Sequence, residues 1–147
     1  MRPLRVILAL LSLVFADLAR CADERKALDE EFLRGFMAGD YDLIGRKPDS
    51  TATYTGRVTL RADGNSLQAV RIIDGKTTQG TIRFDTVAGT DRIPVLRLRV
   101  TLDGVEYEAI YRWQSDPDNY PRFTGILYRK DNQTKSAGLE ALFPIHK

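Results

Sequence analysis

The sequence predicts a mainly β protein: an antiparallel up-and-down barrel of about eight strands, preceded by one amphipathic helix. Three observations carry this. From Tyr41 onward apolar and polar residues alternate with period two, which puts successive side chains on opposite faces of a strand. Three Asp-Gly pairs, at Asp63-Gly64, Asp74-Gly75 and Asp103-Gly104, separate alternating runs. Such pairs mark two-residue hairpin turns, because the central residues need positive φ. Finally, a meander of seven or eight strands leaves two open edges unless it closes, and closure removes them. A two-sheet sandwich is the alternative.

The chain has 147 residues, a length for one domain. Residues 1–21 read as a secretory signal peptide. Arg2 and Arg5 form the basic start, and VILALLSLVFA (Val6 to Ala16) is the apolar run that follows. It falls short of the roughly 20 apolar residues a membrane-spanning helix needs, so no membrane span is expected. Cleavage fits after VFA or after ARC. Cys21 raises lipid anchoring, but the residue before a lipidated cysteine should be small and here it is Arg20. The expected location is therefore periplasmic or secreted. The leader holds Arg2, Arg5 and Arg20 against Asp17, which accounts for the whole net charge of +2, so residues 22–147 are formally neutral. No lysine–arginine cluster stands ready to neutralise phosphates, and nucleic acid is not an expected partner.

Residues 22–40, ADERKALDEEFLRGFMAGD, form the helical segment. Leu28, Phe32, Leu33 and Phe36 make one apolar stripe, acids cluster early, and Gly39 closes the run. Residues 41–147 form the barrel. The segments in order are YDLIGR, TYTGRVTLRA, SLQAVRII, TQGTIRFD, IPVLRLRVTL, VEYEAIYRWQ, RFTGILYRK and GLEALFPI. In the second, Tyr54, Gly56, Val58 and Leu60 oppose Thr55, Arg57, Thr59 and Arg61. In the fifth, Leu96, Leu98 and Val100 oppose Arg97, Arg99 and Thr101. In the sixth, Tyr107, Ala109, Tyr111 and Trp113 oppose Glu106, Glu108 and Arg112. One face of each is expected inside and the other in water. A transmembrane barrel is disfavoured, because its lipid face would hold Arg57, Arg61, Arg97 and Arg99. Pro144 confines the last segment to an edge, and GLEALF could be a short helix instead.

The stretch YDLIGRKPDSTATYTGRVTL carries a resemblance. Tyr41, Gly45, Pro48, Asp49, Tyr54, Gly56 and Val58 are similar to the opening of a group of small exported bacterial domains with calycin-like, avidin-like barrels. There a strand ending in Gly leads to a Pro-Asp turn and then to Tyr-x-Gly-x-Val. The likeness runs from Tyr41 to about Tyr128; LEALFPIHK departs from it. It implies a closed barrel and no particular binding residues. Avidin-like biotin binding is not implied, since Trp113 stands alone.

The inventory for catalysis is thin. His146, the sole histidine, lies next to the last residue, so neither a Ser-His-Asp arrangement nor a His-rich metal site is expected. With one cysteine there is no internal disulfide and no Cys-based zinc site. Glu106 and Glu108 read as a solvated strand surface. Asp116, Asp118 and Asn119 offer oxygen ligands of the kind calcium takes, without an EF-hand pattern, and a turn accounts for them equally. No cofactor is expected. The function expected is non-enzymatic binding, either of a small apolar or aromatic molecule or of an envelope protein. Tyr54, Tyr107, Tyr111 and Trp113 on inward faces, with Tyr120 at the mouth, are the candidate contacts. Ordinary core packing accounts for such rings as well. Inhibition of an envelope hydrolase through the Asp116–Arg122 loop, or a structural envelope role, are the other expectations.

Overall fold

A computed structural model describes residues 29–87, 93–115 and 120–145. The proposed signal peptide, residues 22–28, the calcium candidates and His146 lie outside the described residues. Two compact units part between Leu33 and Arg34. The described part of the first is the opening of helix 29–37, where Phe32, placed on the apolar stripe by its spacing, is 71% exposed.

The second unit is the barrel. Its strands are β1 (Gly39–Arg46), β2 (Thr53–Asp63), β3 (Ser66–Ile73), β4 (Lys76–Val87), β5 (Ile93–Leu102), β6 (Val105–Ser115), β7 (Pro121–Arg129) and β8 (Gly138–Pro144). Each pairs antiparallel with its chain neighbours, and β1 also pairs with β8, so the sheet closes on itself. This is the expected up-and-down architecture, and it agrees with a calycin-like barrel. GLEALF is a strand, not a helix. Pro144 ends it opposite Tyr41, where its missing N–H costs the ladder least.

The hairpins follow from turn chemistry. Asp74-Gly75 and Asp103-Gly104 both take positive φ at both residues, as a type I′ turn requires. At the first hairpin Gly64 and Asn65 are the central pair between Asp63 and Ser66, and only Gly64 takes positive φ.

The core is the inward face predicted by alternation. Tyr41, Leu43, Val58, Leu60, Leu67, Ala69, Leu96, Leu98, Val100 and Leu127 are buried. At the end holding the start of β1, Tyr41 and Phe123 meet edge to face at 5.2 Å, and Phe84 and Trp113 do so at 6.4 Å. The Tyr41 hydroxyl donates to the Met37 carbonyl at 2.7 Å, and Met37 is fully buried. The exterior is not uniformly charged. Ile44, Ile126, Leu139 and Phe143 are each 40% or more exposed, on the outer faces of β1, β7 and β8.

Candidate functional site

The inner face carries a row in which register alternates large and empty positions. Tyr111 of β6 pairs with Gly125 of β7, Gly125 with Glu140 of β8, Glu140 with Gly45 of β1, and Gly45 with Tyr54 of β2. The two glycines flank the glutamate, and the two tyrosines lie beyond them. A Cβ on Gly45 would sit 2.4 Å from Tyr54 Cζ, and one on Gly125 would sit 2.6 Å from Tyr111 Cδ1. Each ring therefore lies across its glycine, and each hydroxyl is carried to Glu140. Tyr54 donates to Glu140 Oε1 and Tyr111 to Oε2. From the facing wall Arg71 of β3 donates through Nη2 to Oε1.

Arg71 and Glu140 side chains are 1% and 0% exposed. A buried charge pair is tolerated only where Coulomb attraction and hydrogen bonds offset desolvation. Here three donors converge on one carboxylate. Desolvation alone would lower the guanidinium pKa; the Glu140 carboxylate and the two tyrosine hydroxyls more than reverse this and hold it above the usual arginine range. Burial first, and the neighbouring carboxylate second, raise the Tyr54 and Tyr111 hydroxyls far above ordinary tyrosine. Both therefore remain donors. Two polar atoms of this group stay unmatched: Arg71 Nε and Nη1 are buried and find no partner among the described residues.

Arg71 lies between two spaces. On one side is a small void of about 10 Å³, walled mainly by apolar residues that include Val58, Leu96 and Leu142. On the other is a cavity of about 380 Å³ at the barrel mouth. Tyr54, Arg71, Tyr107 and Leu127 line it from the strands; Lys47, Pro48 and Ser50 of the β1–β2 loop and the Asp74 and Asp103 turns form its rim. Two latches hold the rim. Asp49 Oδ1 accepts the backbone N–H groups of Lys135 and Ser136 at 2.8 and 2.7 Å, joining the β1–β2 and β7–β8 loops. Lys76 reaches Asp103 at 2.9 Å, joining two hairpin tips.

A larger concavity, about 670 Å³, lies along β4, β5 and β6. Its charges are mostly spent on each other. Arg97 bonds Asp85 at 2.7 Å and also Glu108, Arg99 bonds Glu108 at 3.1 Å, Tyr128 bonds Glu108 at 2.5 Å, and Lys130 bonds Glu106 at 3.2 Å. Glu108, expected on a solvated surface, is 7% exposed beneath this lattice. Desolvation would raise its pKa, but the Tyr128, Arg97 and Arg99 hydrogen bonds outweigh it and lower the value. This wall is a cross-strand ion network.

The candidate contacts fall into three places. Tyr54 and Tyr107 line the mouth cavity, and Tyr111 joins Tyr54 on Glu140 beneath it. Trp113 packs on Phe84 near the far end of the barrel, away from this group. Tyr120 is 47% exposed just before β7. Composition gave no warning of Arg71 and Glu140. The usable signal is the phase of alternation in SLQAVRII, where Arg71 falls in step with Leu67 and Ala69. Among the described residues no group of His, Cys, Asp and Glu could hold a metal ion, and no helix is long and apolar enough to cross a membrane. No protein-family model matches the chain, and no curated protein matches it.

Proposed function

We propose that this barrel is a non-enzymatic binding module that receives a small molecule through its mouth. The observation that carries this is the cavity itself. It is a latched, partly apolar recess of about 380 Å³, within the size range of small-molecule sites, with a buried polar group at its inner side. Two aromatic side chains and Leu127 supply apolar wall, and Arg71 supplies direction.

Binding rather than turnover is favoured by how the polar atoms are spent. Both Glu140 oxygens already accept hydrogen bonds from Tyr54, Tyr111 and Arg71. A carboxylate so engaged is a poor general base, which must reach the proton it removes. The leader-like segment supports export, and the closed barrel supports membership of the exported calycin-like group. Both remain part of the proposal.

The test is native mass spectrometry of protein purified from its own host, followed by titration with a fragment set monitored by NMR. A carried-over small-molecule mass, or saturable shifts confined to Tyr54, Tyr107 and Leu127, is the expected result. An unadorned mass together with no saturable shift at those residues would contradict the proposal.

A further inference from the structure

We infer that the molecule bound in the mouth cavity carries a carboxylate and that Arg71 is the residue that receives it. This rests on the binding proposal above and names its ligand class. The starting point is an imbalance inside the barrel. Arg71 spends one terminal nitrogen on Glu140, while Nε and Nη1 have no partner among the described residues and expose almost no surface. A buried N–H left without an acceptor keeps its full desolvation cost, and a charged group keeps more. Nε–H and Nη1–H lie on different edges of the guanidinium, so each calls for its own acceptor, and a carboxylate oxygen makes the strong, charge-assisted bond such a donor takes.

Retention of the arginine needs a reason. Replacing a buried ion pair by apolar residues of similar size is often neutral or stabilising, and the neighbours of Arg71 on its own face, Leu67, Ala69 and Ile73, are apolar. Arg71 borders the mouth cavity, so an incoming acceptor would complete its shell. The rim supplies compensating charge. Lys76 is held by Asp103, whereas the Lys47 ammonium bonds no described residue and lines the same cavity. Because Nε and Nη1 are covered, the acid group must displace a side chain to meet them. We take Tyr54 as the side chain that moves, because it lines the cavity and shares Glu140 Oε1 with Arg71. Its bond to Glu140 breaks as the ligand carboxylate docks.

The experiment compares para-fluorophenylacetate with para-fluorophenylacetamide, two probes of nearly equal shape, on the full chain at neutral pH. Fluorine NMR gives affinity, and the Arg71 Nε–H resonance reports contact. The acid is expected to bind at least about tenfold tighter than the amide and to shift that resonance, which the amide leaves in place. Tyr54→Phe should tighten the acid severalfold more than it changes the amide. The double variant Arg71→Met/Glu140→Gln, which removes the pair without stranding a charge, should abolish the preference. Equal binding of the two probes, or a preference that survives the double variant, overturns the carboxylate inference and leaves the cavity reading standing. Binding of neither probe up to its solubility contradicts the cavity reading and this inference together.

Discussion

Gly45 and Tyr54 face each other across the β1–β2 ladder, and the tyrosine ring lies where a Cβ on Gly45 would have to be. The same relationship recurs between Gly125 and Tyr111. Each glycine is what lets a tyrosine lie flat against the wall and reach Glu140.

Alanine at these glycines should therefore displace the rings. The three atoms nearest a Cβ on Gly45 all belong to the Tyr54 side chain, so the ring can yield at the cost of its bond to Glu140. Gly125→Ala also meets the Ile110 carbonyl at 2.4 Å, which is backbone and yields less. We expect about 1–3 kcal/mol of destabilisation for Gly45→Ala, a typical overpacking cost, and more for Gly125→Ala. Chemical denaturation with unchanged m-values checks the order.

The buried pair gives a signed prediction. Glu140→Gln strands the Arg71 charge and should destabilise by about 3–5 kcal/mol. Arg71→Met/Glu140→Gln should recover a large part of that loss, because it leaves no unpaired charge. A double-mutant cycle by urea unfolding measures the recovery.

Alkaline pH should unfold the barrel before its inner tyrosines ionise. Burial raises the pKa of Tyr41, and burial with Glu140 raises Tyr54 and Tyr111. A raised folded pKa keeps the proton on the native state while the unfolded state releases it near the ordinary tyrosine value of about 10. Stability is thus fully present below about pH 10 and falls above it. With three such groups the slope is about 4 kcal/mol per pH unit. In an ultraviolet titration, tyrosinate absorbance from these three should appear only together with loss of the β-sheet signal.

At the other extreme, acid should loosen the outer wall. Glu108 has a lowered folded pKa, so its contribution is present above the unfolded value of about 4.3 and is lost as pH falls through the folded one. Glu108→Gln should flatten the acid limb of the stability curve relative to the parent.

Asp49 combines a positive φ of 54° with two accepted backbone hydrogen bonds. Asn keeps an acceptor and tolerates this backbone, Gly relaxes the backbone but loses the acceptor, and Ala does neither. Thermal melts should rank Asp49→Asn nearest the parent, then Gly, then Ala.

Much of the fold was legible because turn chemistry and alternation agree locally. IPVLRLRVTL coincides with β5, and Asp74-Gly75 and Asp103-Gly104 sit at the tips they specify, while at the first hairpin the tip is Gly64-Asn65. The site was less so. In GLEALFP the more apolar face, Leu139 and Phe143, is the one that turns outward, at 49% and 40% exposure, while Glu140 turns in. Hydrophobicity alone selects the wrong face there. Only pairing on both sides, which places Glu140 between two glycines, puts the carboxylate within reach of two tyrosines and Arg71. Those partners lie 86, 69 and 29 residues away in sequence for Tyr54, Arg71 and Tyr111, beyond the reach of any local pattern. Likewise, Tyr107 and Trp113 share a face of β6 by period, yet strand length sends them to different ends of the barrel.

A crystal structure of the protein purified from its own host, without refolding, tests the central claim most directly. The account predicts ligand density in the mouth between Tyr54, Tyr107 and Arg71, above an intact Arg71–Glu140 pair. A mouth closed by its own side chains, with Arg71 turned away from Glu140, would contradict it.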